Sequence, residues 1–209
     1  MTGRTGRQSS VMHDFGIDRA KAFVIVLDSP EPPLAKKLPY LLWNSEFHCV
    51  AAYRFGQYAR ELRAANSVFG TLAIAAHRAI NRWLTHIDHA EISPRAQIGP
   101  GLLLMHRHGV IIGPVVIGQN CVIHQSVTIG QRVAGGDRGV PKIGDNVWIG
   151  PGAVITGAIT VGNGVTISAG TVLSKDVPDG CLVAGNPGRV VARDYDNSRM
   201  INFPAPGEL

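Results

Sequence analysis

Cysteine is scarce in this chain of 209 residues: Cys49, Cys121 and Cys181 are all there is, an odd number with no Cys-x-x-Cys spacing. Such a set builds neither a disulfide framework nor a structural zinc site, and it suits a reducing compartment. Charge is also thin. Charged residues make up 17% of the chain, and the net charge of +5 is spread along it rather than gathered into runs. With no stripe of Lys and Arg interleaved with aromatics, nucleic acid is not an expected partner, whereas a phosphate-bearing small molecule fits the sign. Long apolar runs are missing too: no stretch is long enough to span a bilayer, and the opening MTGRTGRQSSVMHD has no apolar core of a secretory signal. A cytoplasmic protein with no membrane partner is expected.

What the chain does have is glycine, 25 residues, and proline, 13, without a collagen-like period. That density demands turns at set intervals. From Glu91 onward the interval is six. Ile143, Ile149, Ile155, Val161, Ile167 and Leu173 stand six apart, and Val147, Ala153, Ile159, Val165, Thr171 and Val177 follow each by four. Period six is neither helical nor an alternating strand. It describes a three-sided coil in which each hexad is one short strand plus a corner and the aliphatic residue points to the axis. The fold expected is a left-handed parallel β-helix of hexapeptide repeats, preceded by an α-helical hairpin.

Two breaks interrupt the repeat. Ile92, Ile98 and Leu104 share one register, and Ile111, Ile117, Ile123 and Ile129 another, with the slip at His106-Arg107-His108-Gly109. Ile129 and Ile143 stand fourteen apart, so a loop at 131–141 must leave the coil. Insertions in a solenoid are where ligands are usually met. Upstream, apolar residues at three-to-four spacing predict helices over about 46–64 and 68–87, joined near Asn66-Ser67. The division expected is an irregular N-terminal arm at 1–45, a helical region at 46–88, the β-helix at 89–191 and a C-terminal tail at 192–209.

The stretches EISPRAQIGPGLLLMHRHGVIIG, IHQSVTIG, GGDRGVPKIGDNVWIGPGAVITG and VPDGCLVAGNPGRVV, with FHCVAAYRFGQYAR before them, resemble the serine acetyltransferase family of hexapeptide-repeat acyltransferases over roughly 46–191. The resemblance implies acetyl transfer from acetyl-CoA to a hydroxyl, homotrimers or hexamers, a setting in cysteine biosynthesis and no metal. It makes His106 the catalytic base and Glu91 the carboxylate that orients it. A neutral imidazole suits the task because its pKa lies near cellular pH. By position against the family, Gly130, Gln131, Pro151, Gly152 and Ala169 line the CoA groove, and Lys175 and Arg189 meet its phosphates. No Cys or Ser matches a covalent acyl carrier, so direct attack is expected.

The acceptor side departs from the family. Met105 stands where the family has an aspartate, Ser93 where it has a histidine, and Gly139 follows Arg138 where a histidine is usual. Arg138 keeps the means to clamp a carboxylate. Serine or a serine-like amino acid is the first acceptor expected, and the VTIGQR loop entry is similar to acetyltransferases of exopolysaccharide and colanic acid assembly, which makes a sugar the second. A zinc enzyme of the β-helical carbonic anhydrase type, using His106, His108 and His124, and a non-catalytic scaffold are the other readings. The family's complex with the cysteine-forming enzyme relies on a terminal isoleucine, so this chain's ending at Gly207-Glu208-Leu209 does not favour it.

Overall fold

The computed structural model describes residues 11–132 and 139–201. Four helices come first: α1 (Val11–Leu27), α2 (Leu34–Trp43), α3 (Ser45–Ala65) and α4 (Ser67–Asp88). Coil one follows as β1 (Glu91–Ile92), β2 (Gln97–Ile98) and β3 (Leu103–Met105), and coil two as β4 (Ile111–Ile112), β5 (Val116–Ile117) and β6 (Val122–His124). Coil three is β7 (Thr128–Gly130), β8 (Lys142–Ile143) and β9 (Trp148–Ile149), and coil four β10 (Val154–Thr156), β11 (Thr160–Val161) and β12 (Thr166–Ile167). The last coil has β13 (Val172–Leu173) and β14 (Leu182–Ala184), after which β15 (Arg189–Ala192) turns back antiparallel on β14 and α5 (Ser198–Ile201) closes the described chain.

Stacking these strands makes a left-handed β-helix with three flat faces. Face A is β1-β4-β7-β10-β13, face B is β2-β5-β8-β11, and face C is β3-β6-β9-β12-β14-β15; apart from the β14–β15 pair, the strands are parallel. Every hexad aliphatic from Ile143 to Leu173 points inward and is at most 4% exposed. Burying such a side chain contributes about 1.5–3 kcal/mol relative to leaving it in water, so stacked coils share one continuous core. Corner main chains bond coil to coil, as where Gly152 N–H donates to Gln125 O and Gly170 N–H to Pro151 O.

Around His106 the register differs from the expectation. Ile111 is 49% exposed on face A, and Ile112, at 1%, takes the inward place, pairing with Ile92 below and Ile129 above. Eight residues therefore separate the inward Leu104 from Ile112, and only five separate Ile112 from Ile117. The corner at His106 holds an insertion, which the next corner partly takes back.

The segment expected to be an irregular arm instead carries α1 and α2. The prolines at 30, 32 and 33 end one helix and launch the next, because a proline restricts its predecessor and suits a helix's first turn. Periodicity did not reveal α1 because its buried face is polar: Asp18 is 2% and Lys21 0% exposed, beside Ala22 and Phe23. Arg54 of α3 donates from Nε to Asp18 at 2.7 Å and from its two Nη atoms to the carbonyls of Ile98 and Gly99. Leu102 N–H donates to Asp18 as well, at 2.8 Å. Lys21 Nζ donates to Gly101 O and to Asn120 Oδ1, whose amide donates in turn to Asn146. Burial holds the Lys21 ammonium down to about 7, against the pull of Cys121 and Asp18. Helix α3 caps the end of the core with Cys49, Val50 and Tyr53, while α1 and α2 lie on face C. The expected tail is also built in, since Ile201 of α5 is buried with Phe23, Tyr40, Leu103 and Val122.

Candidate active site

The corner where face C passes to face A repeats in every coil. It carries His106 to Gly109, then Gln125-Ser126, then Pro151-Gly152, then Ala169-Gly170. The lower corner is the only one of these with an insertion, and it presents His106 exposed, with φ at 55°. Left-handed residues turn several of this solenoid's corners, Ser126 of the next coil among them at φ 58°, so what sets His106 apart is the insertion and its exposure. Arg107, beside it, is turned inward, with Nη1 3.6 Å from the Glu46 carboxylate of α3. That pair ties the inserted corner to the helices.

Glu91 begins β1 on the same side of the solenoid, and its N–H donates to Val110 O, just past the inserted corner. Both Glu91 and His106 are exposed, and among the described residues no hydrogen bond or ion pair joins them. His124 was named in the sequence only as a metal ligand. It pairs in register with Met105, and its ring lies 4.8 Å from that of Trp148. Burial holds its pKa below the ordinary histidine value, with the neighbouring His106 a smaller cause in the same direction, which favours its neutral form. Nineteen residues separate Met105 from His124, one more than a regular turn, which hides the pairing in the sequence. No group of three His, Cys, Asp or Glu able to hold a metal ion occurs among the described residues.

The positions assigned to CoA fall along the two edges of face A. Pro151, Gly152 and Ala169 stack on the corner that also holds His106, while Gly130, Gln131 and Lys175 lie at the opposite edge. A Cβ added to Gly130 would meet nothing within 4 Å, and Gly152 sits at φ +69°, where a larger residue is strained. Lys175 and Arg189 share a cleft of about 350 Å³ at the far end. Arg138 lies outside the described residues, with most of the 131–141 loop.

Beside His106 a cavity of about 200 Å³ runs under the N-terminal helices, between α1, α2, the start of α3 and β3. Its wall includes Met105 and His106 themselves. Nothing in the sequence pointed to it, because six of the fifteen residues of its wall come from α1 and α2.

The bacterial transferase hexapeptide (six repeats) family model matches residues 141–175. The serine acetyltransferase of Synechococcus elongatus is 40% identical over 132 residues, covering 58% of this chain and 54% of that protein. Among solved structures, Neisseria gonorrhoeae serine acetyltransferase in complex with serine is 33% identical with a TM-score of 0.69, covering 88% of this chain and 70% of that one. The chain belongs to the serine acetyltransferase family. The match spans about half the length of the Synechococcus relative. Brucella abortus serine acetyltransferase in complex with coenzyme A superposes with a TM-score of 0.71 at 26% identity, covering 87% of this chain and 68% of that one. Among the described residues no helix is long and apolar enough to cross a membrane.

Proposed function

We propose that this chain is an acetyl-CoA-dependent O-acetyltransferase with His106 as general base. The observation that carries the reading is the inserted corner: His106 is held exposed on the same stack of corners as the bare Pro151-Gly152 and Ala169-Gly170 turns above it. The relatives' names, and the coenzyme A bound in the Brucella structure, support the same chemistry.

In the proposed reaction the neutral imidazole of His106 takes the acceptor's hydroxyl proton as the oxygen attacks the thioester carbonyl. The C–O bond forms, the tetrahedral oxyanion collapses, the C–S bond breaks, and the imidazolium returns its proton to the departing thiolate. Glu91 steadies the imidazolium once the site is assembled. A main-chain N–H stabilises the oxyanion, a contribution that is often the largest single one in acyl transfer; because Gly130 and His106 lie at opposite edges of face A, a donor near Gly130 serves only when a neighbouring copy brings it to His106. Acetyl-CoA lies along face A, with Gln131, Pro151, Gly152 and Ala169 against its pantetheine arm and Lys175 and Arg189 at its phosphates. Serine is the first acceptor to try, because a Neisseria relative binds it, with Arg138 clamping its carboxylate, and a sugar hydroxyl is the second.

The proposed assembly is a homotrimer, with a hexamer as the larger form. Helices cover face C, whereas the outward residues of face B, Gln97, Val116, Lys142 and Thr160, are all exposed and open to a neighbouring copy. Light scattering reads the assembly directly. The activity is tested by mixing the protein with acetyl-CoA and a panel of hydroxyl acceptors and following free thiol. Thiol release that requires an acceptor is expected; no release, with no coenzyme A binding by calorimetry, would leave a scaffold.

A further inference from the structure

The cavity beside His106 carries a carboxylate with an oxygen to spare, and we infer that this residue, Glu46 of α3, binds the ammonium of an amino-acid acceptor. The inference rests on the acetyl-transfer reading above and adds to it the residue that selects serine over other alcohols. Two carboxylates stand on the wall of this cavity of about 200 Å³, Asp18 and Glu46. Asp18 is already satisfied, because Arg54 donates to it from Nε at 2.7 Å and from an Nη at 3.3 Å, and Leu102 N–H donates at 2.8 Å. Met105, next to the base, offers only a thioether, a weak acceptor.

Glu46 is placed differently. Its side chain is 28% exposed, and among the described residues its carboxylate makes a single polar contact, from Oε1 to Arg107 Nη1 at 3.6 Å. A carboxylate can accept about four hydrogen bonds, so a long contact to one oxygen leaves the other for a second cation. The charge of Glu46 reaches into the cavity: burial, and after it this carboxylate, push the Tyr40 phenol on the same wall up to about 12. Arg19 adds a cation to the wall, its guanidinium 6.0 Å over the Phe23 ring. A wall with both signs of charge suits a small zwitterion better than a neutral polyol. Arg107 follows His106 in the chain and holds Glu46, so one corner sets both the base and the carboxylate. Glu46 binds and does not react; the proton and the acetyl group move at His106 as described above.

The test sets serine beside 3-hydroxypropionate, which is serine without its ammonium, in the wild type, Glu46→Gln and Glu46→Asp. kcat/KM is read from free thiol at saturating acetyl-CoA, and calorimetric binding of coenzyme A reports that each variant is folded. Serine should lead 3-hydroxypropionate in the wild type. Charge-assisted hydrogen bonds are the strong ones, so Glu46→Gln should shrink that lead by about 10- to 100-fold, chiefly through KM for serine. Glu46→Asp keeps the charge and should keep a larger lead than Glu46→Gln. An unchanged lead in Glu46→Gln, an equal loss with both acceptors, or a lead no larger in Glu46→Asp would each overturn this inference. A wild type that acetylates 3-hydroxypropionate or glucose as readily as serine would overturn it too, and would leave acetyl transfer standing. Failure to acetylate any acceptor would overturn both.

Discussion

The coils from Ile143 onward and the coil that ends at His106 follow the same hexad rule, yet they are held in different ways. The later coils are regular, apolar inside and closed by small corners, and their stability comes from burial of one aliphatic stack. The first coil carries an inserted corner tied by Arg107 to the half-buried Glu46, and the corner before it, at Ile98 to Leu102, is held by buried charges: Asp18 with Arg54, and Lys21 on Gly101 and Asn120. Apolar packing tolerates no irregularity cheaply, and the irregular coil is the one that directional bonds hold. Buried ion pairs of this kind are sensitive to the loss of either partner.

Asp18→Ala should break that comparison most. It removes the nearer carboxylate of Arg54 and leaves only Asp14, 3.7 Å away, and breaking such a buried pair costs up to about 3–5 kcal/mol. Hydrogen exchange should rise in α1 while β10 to β13 stay protected. Ile155→Ala strikes the other region. Its side chain is fully buried, and the cavity left behind costs about 2–5 kcal/mol, so urea unfolding should shift for the coils as a unit. If the two variants produced the same exchange pattern, the two regions would not be held independently.

Smaller effects sharpen the same contrast. Gly152→Ala places a Cβ at φ +69° and should lower stability by about 1–2 kcal/mol, measured in urea, with weaker coenzyme A binding. Lys21→Met tests the polar region by its pH dependence. The folded Lys21 pKa of about 7 lies below the ordinary lysine value of 10.5, so between those values the unfolded chain holds the extra proton. Stability should therefore rise with pH across that window, and below it the burial penalty is complete. The variant should lose this slope; an unchanged slope would show that Lys21 is not its source.

The regular coils were legible in the sequence, because hexad spacing, inward aliphatics and glycine corners all point the same way. The residues from Ile143 to Val177 lie as that spacing required. The inserted corner was legible as a break but not in its size. Ile111 and Ile112 are adjacent isoleucines, and spacing could not say which one turns inward. The helices over face C were hidden for a different reason: α1 presents Asp18 and Lys21 to the core, so it shows no apolar stripe. With α1 unseen, the cavity it roofs was unseen as well, and so was the place of Phe15 and Val26 on the same wall as His106. His124 was visible only as one of three histidines. Its partner Trp148 becomes apparent only when the loop is removed from the count and β6 is stacked on β9.

The most direct test of the account is His106→Ala, assayed for acceptor-dependent thiol release alongside calorimetric binding of coenzyme A. A general base contributes about 10²- to 10⁴-fold, so turnover should fall by that much while coenzyme A still binds. A variant that turned over at the wild-type rate would contradict the assignment of the inserted corner as the seat of chemistry.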